Sequence, residues 1–157
     1  MPTTIAFETF SKALFALLDE TFDNVQGIYL DRRTSLFETL ATVSAEEASR
    51  PVSATCASIA AQVEHTRFYL EVCARAGRGE QIGKLDWDAT WQLTAVTPDE
   101  WEALKGRLRA TQQDLLAVLQ APTTWEDEYA VQGALSAVIH TAYHLGEIRQ
   151  ALCTIKG

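Results

Sequence analysis

His65, His140 and His144 are the only histidines in the 157-residue chain, and two of them stand four residues apart. In a helix, side chains at i and i+4 share one face with Cβ atoms about 5–6 Å apart, so one metal ion can bridge two imidazoles so placed. Two polar residues on a solvated helix edge have the same spacing, so HxxxH alone leaves both readings open. The neighbours bear on the choice. At about 100° per residue, Gly133, Ser136, Ala137, Tyr143, Glu147 and Ala151 fall on the His140–His144 side, and most are too small to fill a core. That face leaves a hollow. The opposite arc carries Val131, Leu135, Val138, Ala142, Leu145 and Leu152, interrupted by Arg149, so the helix is expected to pack on more than one side. The histidine face is then at least partly buried.

His65 belongs to an earlier helical segment with an apolar stripe of Ile59, Val63, Leu70 and Cys73, and lies to one side of it with Ser58, Gln62, Tyr69 and Val72. A buried histidine needs a polar partner, and helix axes about 8–10 Å apart allow imidazoles from two neighbours to meet at one ion. Three nitrogen ligands with the remaining positions left to solvent make an open site that can bind or activate a substrate. Tyr69 and Glu147 stand within a turn of a histidine and are candidates to orient it, solvent exposure of Glu147 being the alternative. Trp87, Trp91 and Trp125 are candidate walls of a substrate cavity, or else anchors of a long loop. No Ser or Cys nucleophile motif is present, which points to solvent at the ion or a cofactor thiol as the nucleophile.

These residues need helices to position them, and most of the chain reads at the helical period. Phe7, Phe10, Leu14, Leu17 and Leu18 predict a first helix from Ile5 to about Asp19. Leu36, Phe37 and Leu40 suggest a short helix, and Ser44-Ala-Glu-Glu47 is a capping box for a helix that Pro51 must end. The second main helix is predicted over Ser53–Ala76, closed by Gly77 and Gly79 after Arg75. Arg78 to Val96 reads as the longest loop. Thr97-Pro98-Asp99-Glu100 combines an N-cap, Pro at the first helical position and Glu at N3, and opens a third helix to about Gln120. The fourth runs from about Ala130 to Ile155. Four main helices, three of them exceeding about 20 residues, predict an all-α four-helix bundle, residues 1–157 forming one domain.

Composition narrows the function. Hydrophobic residues make up 47 % and charged residues 22 %, with eight Gly and four Pro, which excludes disordered and collagen-like classes. A formal charge of −8 gives no electrostatic footprint for nucleic acid or an anionic membrane surface. The first residues lack both the basic leader of a signal peptide and the length of a membrane span, so the mature chain is expected to start at or near Met1. Three cysteines, Cys56, Cys73 and Cys153, without CxxC spacing fit reduced thiols in the cytoplasm, expected as small core residues.

The segments SIAAQVEH at Ser58 to His65, Asp86-Trp87 in the loop, and HTAYHLGEIRQAL from His140 to Leu152 together resemble the DinB/YfiT-like superfamily of metal-dependent enzymes. The resemblance covers nearly the whole chain. It implies an up-down-down-up four-helix bundle, a divalent metal, nickel or zinc, on His65, His140 and His144, and a homodimer, for which Phe15 and Phe22 are the expected exposed residues. It further implies a small-molecule substrate and an enzyme of thiol-dependent transferase, isomerase or hydrolase type, with a low-molecular-weight thiol as a second cofactor. It does not assign catalytic residues. A non-catalytic metal-binding or stress-related helical bundle is the alternative.

Overall fold

Six α-helices and one 3-10 turn are present in the computed structural model, which describes residues 5–157; no strand occurs among them. The expectation about Met1 falls outside these residues. The helices are α1 (Phe7–Phe22), α2 (Leu36–Leu40), α3 (Ala45–Ser49), α4 (Ile59–Gly77), α5 (Pro98–Gln120) and α6 (Glu128–Lys156), and the 3-10 turn spans Asp88–Trp91.

Local chemistry sets most of the boundaries. Thr97 accepts from the Glu100 N–H while Glu100 accepts from the Thr97 N–H, and Ser44 and Glu47 do the same for α3. The Ser58 hydroxyl accepts from the Ala61 N–H, so α4 begins at Ile59. Residues 53–57, expected as its first turn, are irregular instead. At the other end Gly79, with φ of +79°, closes α4: its N–H donates to the Ala76 carbonyl, and that of Glu80 donates to Arg75. This pair of bonds is the Schellman arrangement, which needs a left-handed residue.

Helix α4 is central, with α5 and α6 packed on it, while α1 packs on α6 and the 3-10 turn lies against α4. All four long helices contribute to one apolar cluster, including Leu14, Leu18, Ile59, Val63, Leu70, Leu104, Leu108, Leu115, Leu145 and Ile148. Trp101, the largest fully buried side chain, donates from Nε1 to the Val43 carbonyl at 2.8 Å and ties the start of α5 to the segment between α2 and α3. Among the described residues no helix is long and apolar enough to cross a membrane.

Several expectations are corrected. Only α5 and α6 exceed 20 residues. Helix α1 continues to Phe22, which is fully buried and packs on Phe37 instead of offering a dimer surface; Phe15 is half-buried against the core. Cys56 and Cys153 are exposed, because one lies in the irregular segment before α4 and the other on an outward position of α6.

Glu20 explains the form of the connection after α1. Its carboxylate is buried and accepts four backbone N–H bonds, from Gln26, Ile28, Tyr29 and Leu30, at 2.7–2.9 Å. Burial raises the carboxyl pKa, but the four donors outweigh it and hold the group at about 2. One charged side chain thus replaces the backbone partners that an irregular segment lacks.

Candidate metal centre

Helix α4 carries His65 at its middle, and α6 carries His140 and His144 on the face turned toward it. One ring nitrogen from each lies within 4.8 Å of the others, close enough to bind one metal ion. His65 Nε2 and His140 Nε2 are 3.2 Å apart. Two nitrogens bound about 2.0–2.1 Å from zinc at a tetrahedral angle are separated by about 3.4 Å, so the observed spacing matches a shared ion.

The surrounding hydrogen bonds fix which nitrogen carries the proton. Thr90 Oγ1 donates to the Trp87 carbonyl at 2.6 Å, and its one hydrogen is thereby committed. Thr90 Oγ1 also lies 2.8 Å from His65 Nδ1, so in that contact the imidazole N–H must donate. The lone pair of His65 is left on Nε2, facing His140. His144 Nδ1 is 2.9 Å from Glu147 Oε2, an acceptor only, so it too bears the proton and leaves Nε2 bare. This is how orienting partners prepare imidazoles for a metal. His140 has no such partner: its Nδ1 is buried and unbonded, and its ring is placed by stacking on Tyr69, centroids 3.7 Å apart and planes 10° from parallel.

Aromatic side chains pack around the imidazoles. Trp91 stacks on His65 at 4.0 Å, and Trp87 lies near both His65 and Tyr69. Trp87 precedes and Trp91 ends the 3-10 turn that presents Thr90, and Asp86 accepts from the Ala89 N–H of that turn. Burial lowers the pKa of all three imidazoles. His65 falls to about 4, with His144 adding to the effect, and His140 falls to about 4, with His144 and His65 adding to it. For His144 burial is partly opposed by Glu147. The three are therefore neutral at pH 7, the form that coordinates.

The donor set fits a borderline divalent cation such as zinc, nickel or copper: three imidazoles converge, and two are oriented with lone pairs inward. A cavity of about 580 Å³ lies alongside, lined in part by Gln62, Trp91, Tyr143, Glu147 and Cys56. Trp125 does not line this cavity; it packs on Phe7 and Phe10 of α1 and donates to Ser11 Oγ at 2.7 Å. Its place as a cavity wall is thus corrected. Thr90 escaped the sequence reading, since a threonine in a loop carries no periodic signal; only its closeness to Trp87 and Trp91 hinted at it.

Compared with protein-family models, curated proteins and solved structures, the chain gives no match.

Proposed function

We propose that His65, His140 and His144 hold one divalent metal ion, nickel or zinc, and that the chain is a DinB-like metal-dependent enzyme acting on a small molecule in the adjoining cavity. The observation that carries this reading is the pair of inward Nε2 lone pairs fixed by Thr90 and Glu147. His140 brings a third imidazole, its Nε2 3.2 Å from that of His65, within reach of the same ion. In this reading α1, α4, α5 and α6 form the four-helix bundle of that superfamily.

When bound, the ion supplies Lewis acidity at positions that three protein ligands leave open. The chain's own groups then divide the work. Thr90 and Glu147 hold His65 and His144 in the coordinating tautomer, and Tyr69 keeps the His140 ring in plane. Trp91 covers one side of His65 and forms a wall of the cavity, offering an aromatic face to a substrate there. Glu147 borders the same cavity while its carboxylate holds His144. A low-molecular-weight thiol is the proposed second substrate or cofactor, and the cytoplasm the proposed compartment. The homodimer rests on the resemblance alone, since Phe22 is in the core; a monomer mass in sedimentation would remove it.

Metal analysis of protein purified without chelator tests the centre. About one equivalent of nickel or zinc per chain is expected, absent from His140→Ala. Protein that neither carries nor takes up either metal would exclude it. Cobalt-substituted protein tests the open positions: a small thiol or azide should change its visible spectrum, whereas an inert spectrum would favour the non-catalytic bundle.

A further inference from the structure

A second cavity, of about 420 Å³, lies against a different face of α6 and is lined by Arg33, Thr39, Thr42, Arg149, Leu152, Cys153 and Lys156. We propose that it binds a phosphorylated small molecule. Three of the thirteen basic side chains of a chain with charge −8 gather here, and no acidic residue lines the cavity. Among the described residues the Arg33 and Arg149 guanidiniums form no ion pair, although the chain has acidic groups in excess. Lys156 is held at the rim, donating to the Thr42 carbonyl at 2.9 Å and lying 3.5 Å from Glu47, the one carboxylate in contact with this group of cations.

A further observation points to a ligand. Thr39, on the cavity wall, is 5 % exposed, and its hydroxyl is buried with no hydrogen-bond partner. Native structures rarely leave such a group unpaired. Arg33 has φ of +62° and is the single non-glycine residue in the left-handed region among those described. Two forked guanidiniums, an ammonium and the unpaired Thr39 hydroxyl offer more donors than the two oxygens of a carboxylate accept, and suit the three terminal oxygens of a phosphomonoester; the Thr42 hydroxyl already donates to the Thr39 carbonyl. The cavity also has room beyond one oxyanion, and Leu152 and the Cys153 stem give it an apolar side.

Amide NMR titration of the full chain with phenyl phosphate, at ionic strength fixed with sodium chloride, tests the site. Saturable shifts centred on Thr39, Thr42 and residues 152–153 are expected, with Kd of about 1 mM or tighter. Arg149→Gln and Arg33→Gln should each weaken binding about tenfold. Arg33 is exposed, so Arg33→Gln carries the test should Arg149→Gln fail to fold. Shifts that are absent, that centre on His144 and Glu147, or that saturate with the same Kd in Arg33→Gln would overturn the proposal. So would inorganic phosphate binding as tightly as phenyl phosphate, or binding confined to phosphatidic acid vesicles.

Discussion

Hydrogens already committed elsewhere decide the chemistry of single residues here. Because the Thr90 hydroxyl gives its proton to the Trp87 carbonyl, Thr90→Val leaves the His65 N–H buried without an acceptor and free to shift to the other nitrogen. Metal affinity should fall about 10–100-fold, as should that of Glu147→Gln, measured by competition with a chromophoric chelator. Unchanged affinity in both would mean that the imidazoles need no outside orientation. The same burial that keeps the imidazoles neutral sets a pH dependence in chelated protein. His65 and His140 have folded pKa values near 4, below the ordinary 6.5, so the unfolded chain takes up protons first as the pH falls. Their contribution is fully present above pH 6.5 and is lost as the pH falls from 6.5 toward about 4. Urea midpoints at successive pH values check this, and a flat profile from 6.5 to 5 would contradict it. Glu20 acts in a lower window, losing its contribution as pH falls from 4.5 through about 2. At this scale the three histidines were legible because their type is rare and two share a helix spacing. Thr90 was not, since a loop hydroxyl shows its partners only once the chain is folded.

Helices were legible wherever their ends are written in adjacent residues. The Ser44 and Thr97 boxes and the Gly79 closure act within a few positions, and each is formed. The overextended start of α4 shows the limit: residues 53–57 have tolerable helix propensity, yet Ser58 is the residue whose hydroxyl caps. Glu20 was invisible for a different reason, because its donors lie six to ten residues downstream in a segment without periodicity. Glu20→Gln should therefore loosen residues 26–30 without unfolding the helices, seen as faster amide exchange confined to that segment. Uniformly faster exchange would show that the carboxylate supports the whole core. Where α4 meets α5, a Cβ on Gly77 would stand 2.6 Å from Val118 Cγ1. Gly77→Ala gains helix propensity but forces the two helices apart, and the overpacking cost of about 1–3 kcal/mol outweighs the gain of about 1 kcal/mol or less. A lowered urea midpoint is expected; a raised one would show that Val118 rotates away freely.

Across the whole molecule, the histidines join α4 to α6, two helices separated in sequence by the loop and α5. The all-helical class followed from periodicity, whereas the packing order, with α4 central and α1 on α6, depends on side-chain fit between distant segments and had no local signature. That separation makes the proposed ion a reporter of the fold. A site assembled from both helices exists only in the folded chain, so metal binding must stabilise the native state by mass action. At free metal about 100 times its dissociation constant the increment is about 2.7 kcal/mol, which for a chain of this size is about 5–10 °C in melting temperature. Chelator should remove that increment in the native chain. Acidification below the histidine range should remove it as well, because protons and metal compete for the same Nε2 lone pairs. His140→Gln, which keeps side-chain bulk against Tyr69 while deleting one ligand, should melt at nearly the same temperature with and without metal. If the native chain and this variant respond equally to added nickel or zinc, the ion binds elsewhere and the three imidazoles are not its site.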